Sequence, residues 1–171
     1  LFLLKATKMV PHKGDKRFEV NSPEYKAIGD WIAAGAPGPK ADDPRIVSLE
    51  VSHTHVVTQA GKTVQLKVTA KFSDGHSEDV TRWTKYNATN ASVATVDDFG
   101  LIKTTGSGEG SVSAWYLSRL ALATITIPNA SNVDPAAFAA LKPRNFIDEL
   151  TLKKLRELNI PPSVRAEDHE F

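Results

Sequence analysis

The sequence predicts a mainly β chain, a two-layered β-sandwich with short helical flanks at both ends. Three observations carry this reading. Between Pro44 and Pro128 apolar side chains recur at every second position, as in Val64, Leu66, Val68, Ala70 and Phe72 against Gln65, Lys67, Thr69 and Lys71. A period of two places one set in a core and the other in water. Turn-forming clusters such as Ser73-Asp74-Gly75 and Asp97-Asp98-Phe99-Gly100 interrupt this pattern, at about the 8–12-residue spacing of a sandwich. Outside that stretch the apolar spacing lengthens to three and four, which is helical.

The elements follow in order. The apolar run Leu1-Phe2-Leu3-Leu4 is ended by Lys5 and is too short for the core of a signal peptide; it reads as the stub of an element cut upstream, so the chain is expected to be a piece of a longer protein. Ser22 is an N-cap and Pro23 suits the first helical position, with Tyr25, Ile28, Trp31 and Ile32 on one face and Gly35 and Pro37 as the stop. Gly38 to Pro44 is a linker by composition. Strands are expected at Ile46–Val51, Val64–Phe72, Ser92–Val96, Leu101–Ile102, from Ser111 to Tyr116, and from Ala121 to Ile127, about seven in all in the manner of a sandwich. Pro135 to Leu141 is expected to form a short helical turn. Asn145 caps a last helix with Asp148 and Glu149 in its first turn, and Pro161-Pro162 stops it. Phe146, Ile147, Leu150, Leu152, Leu155 and Leu158 cover more than one face of that helix, a wider apolar surface than a small sandwich can cover. The expected organisation is a helical flank with linker over residues 1–43, the sandwich over 44–128, and a linker and helix over 129–171.

Composition excludes several functions. Lys+Arg is 21 and Asp+Glu 20, a net charge of +1. Charge is balanced to within one in each of the three segments, so no nucleic-acid groove or polybasic membrane patch is expected. There is no cysteine, which excludes disulfides, thiolate metal sites, cysteine nucleophiles and covalent c-type haem attachment within this chain. No apolar run approaches the roughly 20 residues of a membrane span.

Asp74-Gly75, Asp79-Val80-Thr81, Asn90, Ser92-Val93-Ala94-Thr95-Val96-Asp97, Gly100-Leu101-Ile102 and Gly106-Ser107-Gly108-Glu109-Gly110 together resemble the bacterial immunoglobulin-like domain of group 2. The resemblance covers about residues 44–128 and implies an immunoglobulin-like β-sandwich. Tyr86 stands where that family often carries Trp, with Trp83 nearby, leaving two candidates for the core aromatic. On the N-terminal side, His12-Lys13-Gly14, Lys16-Arg17-Phe18, Ser22-Pro23-Glu24-Tyr25 and Trp31-Ile32-Ala33-Ala34-Gly35-Ala36-Pro37 look like the tail of a planctomycete cytochrome-c-like domain. On the C-terminal side, Asn145-Phe146-Ile147-Asp148, Leu155 and Ile160-Pro161-Pro162-Ser163 look like the start of a planctomycete domain of unknown function. In an intact parent the first of these would offer Met9 and His12 as axial haem ligands.

Other residues are candidate sites by type and spacing. His53 and His55 share a strand face, but no third ligand is evident and no carboxylate sits beside them, which favours a solvated pair over a metal site. Asp74, His76, Glu78 and Asp79, and the pair Asp97-Asp98, lack a calcium-loop spacing and read as turn chemistry. Gly106-Ser107-Gly108 is neither a nucleophile elbow nor a phosphate loop. Asn87, Asn90 and Asn129 fit the glycosylation pattern and, in a bacterial-looking chain, also read as turn residues. Trp115 faces opposite to Val112 and Tyr116 on its strand, where it meets either another segment of the chain or a partner.

No catalytic residue, metal or cofactor is expected. The expected function is a non-catalytic immunoglobulin-like module of a larger exported protein, at the periplasm or cell surface, that spaces or docks neighbouring domains of the same polypeptide. The alternatives are a part of a haem-containing electron-transfer protein or enzyme, and an adhesin-like domain binding carbohydrate or protein. Neither nucleic acid nor membrane insertion is expected.

Overall fold

A computed structural model describes residues 1–131, 133–139, 141–163 and 169. The chain divides into two compact units, Leu1–Asp43 and Pro44–Phe171.

The first unit holds two helices, α1 (Phe2–Ala6) and α2 (Pro23–Ala33). Ser22 caps α2 as its sequence predicts, its hydroxyl accepting the Tyr25 N–H at 3.2 Å. The helix stops before Gly35, which sits at φ +88°, a left-handed conformation that costs glycine nothing. Tyr25 and Ile28 are half-buried, whereas Trp31 and Ile32 at the helix end are exposed. The Trp31 indole N–H donates to the Pro37 carbonyl at 3.1 Å.

The second unit carries ten strands among the described residues: β1 (Ile46–Val51), β2 (His55–Val57), β3 (Thr63–Gln65), β4 (Val68–Phe72), β5 (Ser77–Asp79), β6 (Lys85–Ala88), β7 (Ala94–Val96), β8 (Leu101–Thr104), β9 (Gly108–Tyr116) and β10 (Arg119–Ile127). They form three sheets, ordered β1-β4-β5, β2-β10-β9-β6 and β3-β8-β7. The four-stranded sheet is one layer. Its inner face meets the other two sheets, which lie side by side as the second layer. One core cluster joins Val112, Ala123, Ile125 and Ile127 to Leu66, Val93, Ala94 and Ile102. The other joins Ala114 to Val68, Ala70 and Val80, with Ile46, Leu49 and Phe72 packed around it. The fold is an immunoglobulin-like β-sandwich.

The run from Val64 to Phe72 is not one strand. Its alternation survives, since Leu66, Val68 and Ala70 are all buried, but its hydrogen-bond partners change. The Leu66 N–H bonds the Gly100 carbonyl at 2.9 Å, on the β8 side. At Lys67 the partner becomes Ser52, through Ser52 N–H to Lys67 O at 2.9 Å and Lys67 N–H to Ser52 Oγ at 3.1 Å. The chain thus crosses from one sheet of the second layer to the other within two residues.

Tyr86 resolves the question of the core aromatic. Its ring packs against both clusters and its hydroxyl donates to the Thr81 carbonyl at 2.9 Å; burial pushes its pKa up to about 12. Trp83 remains 46% exposed. Tyr86 also explains Gly100, at φ +77°: a Cβ there would lie 2.8 Å from the Leu66 carbonyl and 2.9 Å from the Tyr86 hydroxyl.

After β10 come a short helix α3 (Ala136–Ala139) and α4 (Phe146–Glu157). Asn145 caps α4, accepting from the N–H groups of Ile147 and Asp148 at 2.9 and 3.0 Å. The other end stops sooner than Pro161-Pro162 would impose. Asn159 takes a left-handed conformation at φ +52°, an asparagine stop that the sequence reading overlooked.

Candidate functional site

The sequence candidates fall at several separate places. Met9 is exposed. His12 is partly buried, with Nδ1 3.4 Å from the Val10 carbonyl. His53 is exposed and pairs with its neighbour, Nδ1 to Ser52 Oγ at 2.9 Å.

The acidic clusters serve turns. Asp74 Oδ1 accepts from the His76 backbone N–H at 3.2 Å and contacts the His76 ring at 2.5 Å. The hydrogen bond to Asp74 raises the His76 pKa above its ordinary value. The same ring stacks on Phe72 with centroids 4.4 Å apart. Asp79 accepts from Thr81 N–H, Asp97 from Phe99 and Leu101 N–H, and Asn90 from Ser92 N–H. Each is the local side-chain bond that favours Asp and Asn in turns.

Trp115 lies on the outer face of the four-stranded sheet, 57% exposed. Strand register sets Lys85 of β6 and Leu120 of β10 directly beside it. A groove of about 460 Å³ runs there, lined by Lys85, Tyr86, Asn87, Ser113 and Trp115. An aromatic plate flanked by an amide, a hydroxyl and an ammonium can stack against and hydrogen-bond a ligand.

At the other end of the same outer face lies a polar cluster that sequence reasoning did not assemble. β2 pairs with β10 in parallel, setting His55 opposite Thr124. His55 Nε2 lies 2.9 Å from Thr126 Oγ1, and that hydroxyl donates to Glu109 Oε2 at 2.8 Å. The hydroxyl proton is thereby committed, so His55 Nε2 is the donor to it. Thr126 is fully buried although it belongs to the outer face. From α4, Lys154 Nζ donates to Glu109 Oε2 at 2.6 Å and to Glu157 at 2.9 Å. Hydrogen bonds from Lys154, then Thr126, hold Glu109 below the ordinary carboxylate range; Lys154 does the same to Glu157, and the two carboxylates raise Lys154 in turn.

A second set of bonds ties the end of α4 to the segment following β10. The backbone and side-chain N–H groups of Asn129 both reach the Leu158 carbonyl at 2.9 Å. Asn159 Nδ2 donates to the Asn129 carbonyl at 2.8 Å and to that of Ser131, and Ser131 Oγ donates to the Asn159 carbonyl at 3.0 Å. The C-terminal end of α4 is therefore latched twice. Its N-terminal half exposes Phe146, Ile147 and Leu150.

Comparison with known proteins finds a likeness in the central stretch. Residues 46–115 match the bacterial Ig-like domain, group 2. Among solved structures, domains 4 and 5 of the S-layer protein SbsC align at 16% identity and TM-score 0.44, covering 50% of this chain and 53% of that one. This chain thus spans about half the length of that S-layer structure. An intimin mutant of EHEC O157:H7 aligns at 17% identity and TM-score 0.32, covering 75% of this chain and 72% of that one. No curated protein matches the sequence. Tyr86, Gly100, Trp115 and the core cluster of Val68, Ala70, Val80 and Ala114 lie in the stretch matched to the Ig-like family, whereas Ala123, Ile125 and Ile127 of the other cluster lie beyond it, as do Thr126, Lys154 and Glu157. Among the described residues no helix is long and apolar enough to cross a membrane.

Proposed function

We propose that this chain is a non-catalytic Ig-like module of a larger exported bacterial protein, and that it docks and orients a neighbouring domain through α4. The observation that carries the reading is the division of labour along this helix. Its C-terminal end is fixed to the sandwich by the Lys154–Glu109 ion pair and the bonds among Asn129, Ser131 and Asn159. Its N-terminal half offers Phe146, Ile147 and Leu150 to a partner, with Phe146 69% exposed. A contiguous apolar ridge on a held helix is the usual form of an interaction surface. The resemblance of the flanks to a cytochrome-c-like domain and to a planctomycete domain of unknown function supports the placement in a multidomain exported protein.

Hydrogen exchange tests the docking. In the parent polypeptide the amides of residues 146–150 are expected to be protected, and Phe146→Asp with Leu150→Asp to restore their exchange without lowering the melting temperature of the sandwich. Equal exchange in parent and variant would overturn the docking, and turnover of a substrate by this chain alone would overturn the non-catalytic assignment.

A second reading, ligand binding on the outer face of the sheet, is supported by the Trp115 groove. A glycan or peptide seated there quenches or shifts indole fluorescence, and Trp115→Ala abolishes binding. A fluorescence response that survives Trp115→Ala would exclude the groove.

A further inference from the structure

His55 of β2, Glu109 of β9 and Glu157 of α4 each direct one donor atom to a common place, and the three atoms lie within 4.8 Å of one another. They come from three elements widely separated in sequence, so no local turn accounts for their meeting. Lys154 Nζ sits between the two carboxylates, 2.6 Å from Glu109 and 2.9 Å from Glu157. We propose that His55, Glu109 and Glu157 form a divalent transition-metal site, of the kind that takes zinc, in which the metal replaces the Lys154 ammonium and staples α4 to the sandwich.

The charges favour the exchange. Two carboxylates bond one ammonium directly, with Lys153 lining the same pocket, and a divalent cation in place of Lys154 matches the two carboxylates charge for charge. The donor set is one imidazole nitrogen and two carboxylate oxygens, which suits zinc and its neighbours; calcium takes oxygens and has no use for the imidazole. Three protein ligands leave zinc a further position for water. Lys154 can leave readily, because its side chain is 43% exposed and its ammonium swings into water on a flexible stem without desolvation. No proton is lost when it departs.

A supporting group is also in place. Thr126 is fully buried, and its hydroxyl donates to Glu109. That bond orients the carboxylate whichever cation it faces, as outer-shell donors do around metal ligands. Metal binding requires the imidazole to turn its lone pair to the ion, so His55 exchanges its bond with Thr126 for the metal and carries its ring proton on the other nitrogen. His53 bonds Ser52 and takes no part. No ligand comes from the exposed ridge of α4, although Leu150 of that ridge lines the same pocket as His55 and Glu157; zinc binding by this chain alone tests the site without any docked domain.

Zinc chloride titrated into the metal-free protein provides the test, with calorimetric stoichiometry and melting temperature as readouts and calcium chloride as control. One zinc per chain is expected, with a saturable rise in melting temperature, since a ligand bound only to the folded state stabilises it. His55→Ala and Glu157→Gln should each weaken zinc binding by about tenfold or more. Lys154→Met should tighten it, because the competing ammonium is gone, and His53→Ala should leave it unchanged. Absence of one-to-one binding at submillimolar zinc would overturn the proposal. So would binding that ignores His55→Ala, binding lost with His53→Ala, or an equal response to calcium. Circular dichroism of each variant at room temperature identifies any that fails to fold, and Lys154→Met then decides alone, through the direction of its effect.

Discussion

The two faces of the four-stranded sheet are built from the same strands and hold opposite chemistry. On β9 and β10 the inward positions Val112, Ala114, Ala123, Ile125 and Ile127 are buried. The alternate, outward positions run from Trp115, Leu120 and Leu122, all exposed, to Thr126, which is fully buried in a polar cluster. The inner face is a continuous apolar layer, where stability comes from area removed from water. The outer face is divided: one end carries an aromatic plate open to solvent, and the other carries hydrogen bonds and charges that hold a helix. The dry core and the solvent-facing, polar surface are thus separated by one residue of register, because a strand presents successive side chains to opposite sides.

Substitutions can break this contrast at chosen points. The largest effect is expected on the inner face, where Ile125→Ala removes fully buried methyl groups and should cost about 2–5 kcal/mol in denaturant unfolding. An outward position on the same strand is the control: Leu122→Ala should stay within about 0.5 kcal/mol. Gly100→Ala strikes the opposite layer through the backbone, combining φ +77° with a Cβ placed against the Leu66 carbonyl and Tyr86. It should destabilise by more than about 1 kcal/mol, with the loss read as a lower urea midpoint at unchanged slope.

Thr126→Val preserves shape and removes only the hydroxyl that joins His55 to Glu109. A loss of about 1 kcal/mol is expected, smaller than for Ile125→Ala, because both partners can turn to water. Faster hydrogen exchange in α4 should accompany it. An unaltered α4 would show that the asparagine bonds alone hold the helix.

The smallest effect lies at the β4–β5 turn. The His76 resonance should titrate above the ordinary histidine value, and Asp74→Asn should lower that midpoint. Because the folded-state value is raised, the contribution is fully present below the unfolded-state pKa and fades as pH rises through the folded-state value. An unshifted midpoint in Asp74→Asn would remove Asp74 as the cause. The pair is solvent-exposed, so the melting temperature should barely respond.

Much of the fold was legible in the chain because its signals are local. The alternation of Leu66, Val68 and Ala70 marked buried positions, Ser22 and Asn145 marked helix starts, and the turn residues Asp74, Asn90 and Asp97 marked reversals by bonding their own neighbours. What the tertiary structure decided depends on pairing at long range. The switch of sheets at Leu66 and Lys67 left the burial pattern intact and so left no trace in it. The choice of Tyr86 over Trp83 required knowing which side of β6 faces the core. His55 meets Thr126 across 71 residues and Glu109 meets Lys154 across 45. Side-chain periodicity specifies which face of a strand is dry, but not which strand lies beside it. The cluster of histidine, carboxylates and lysine came into being only when β2, β9, β10 and α4 were brought together.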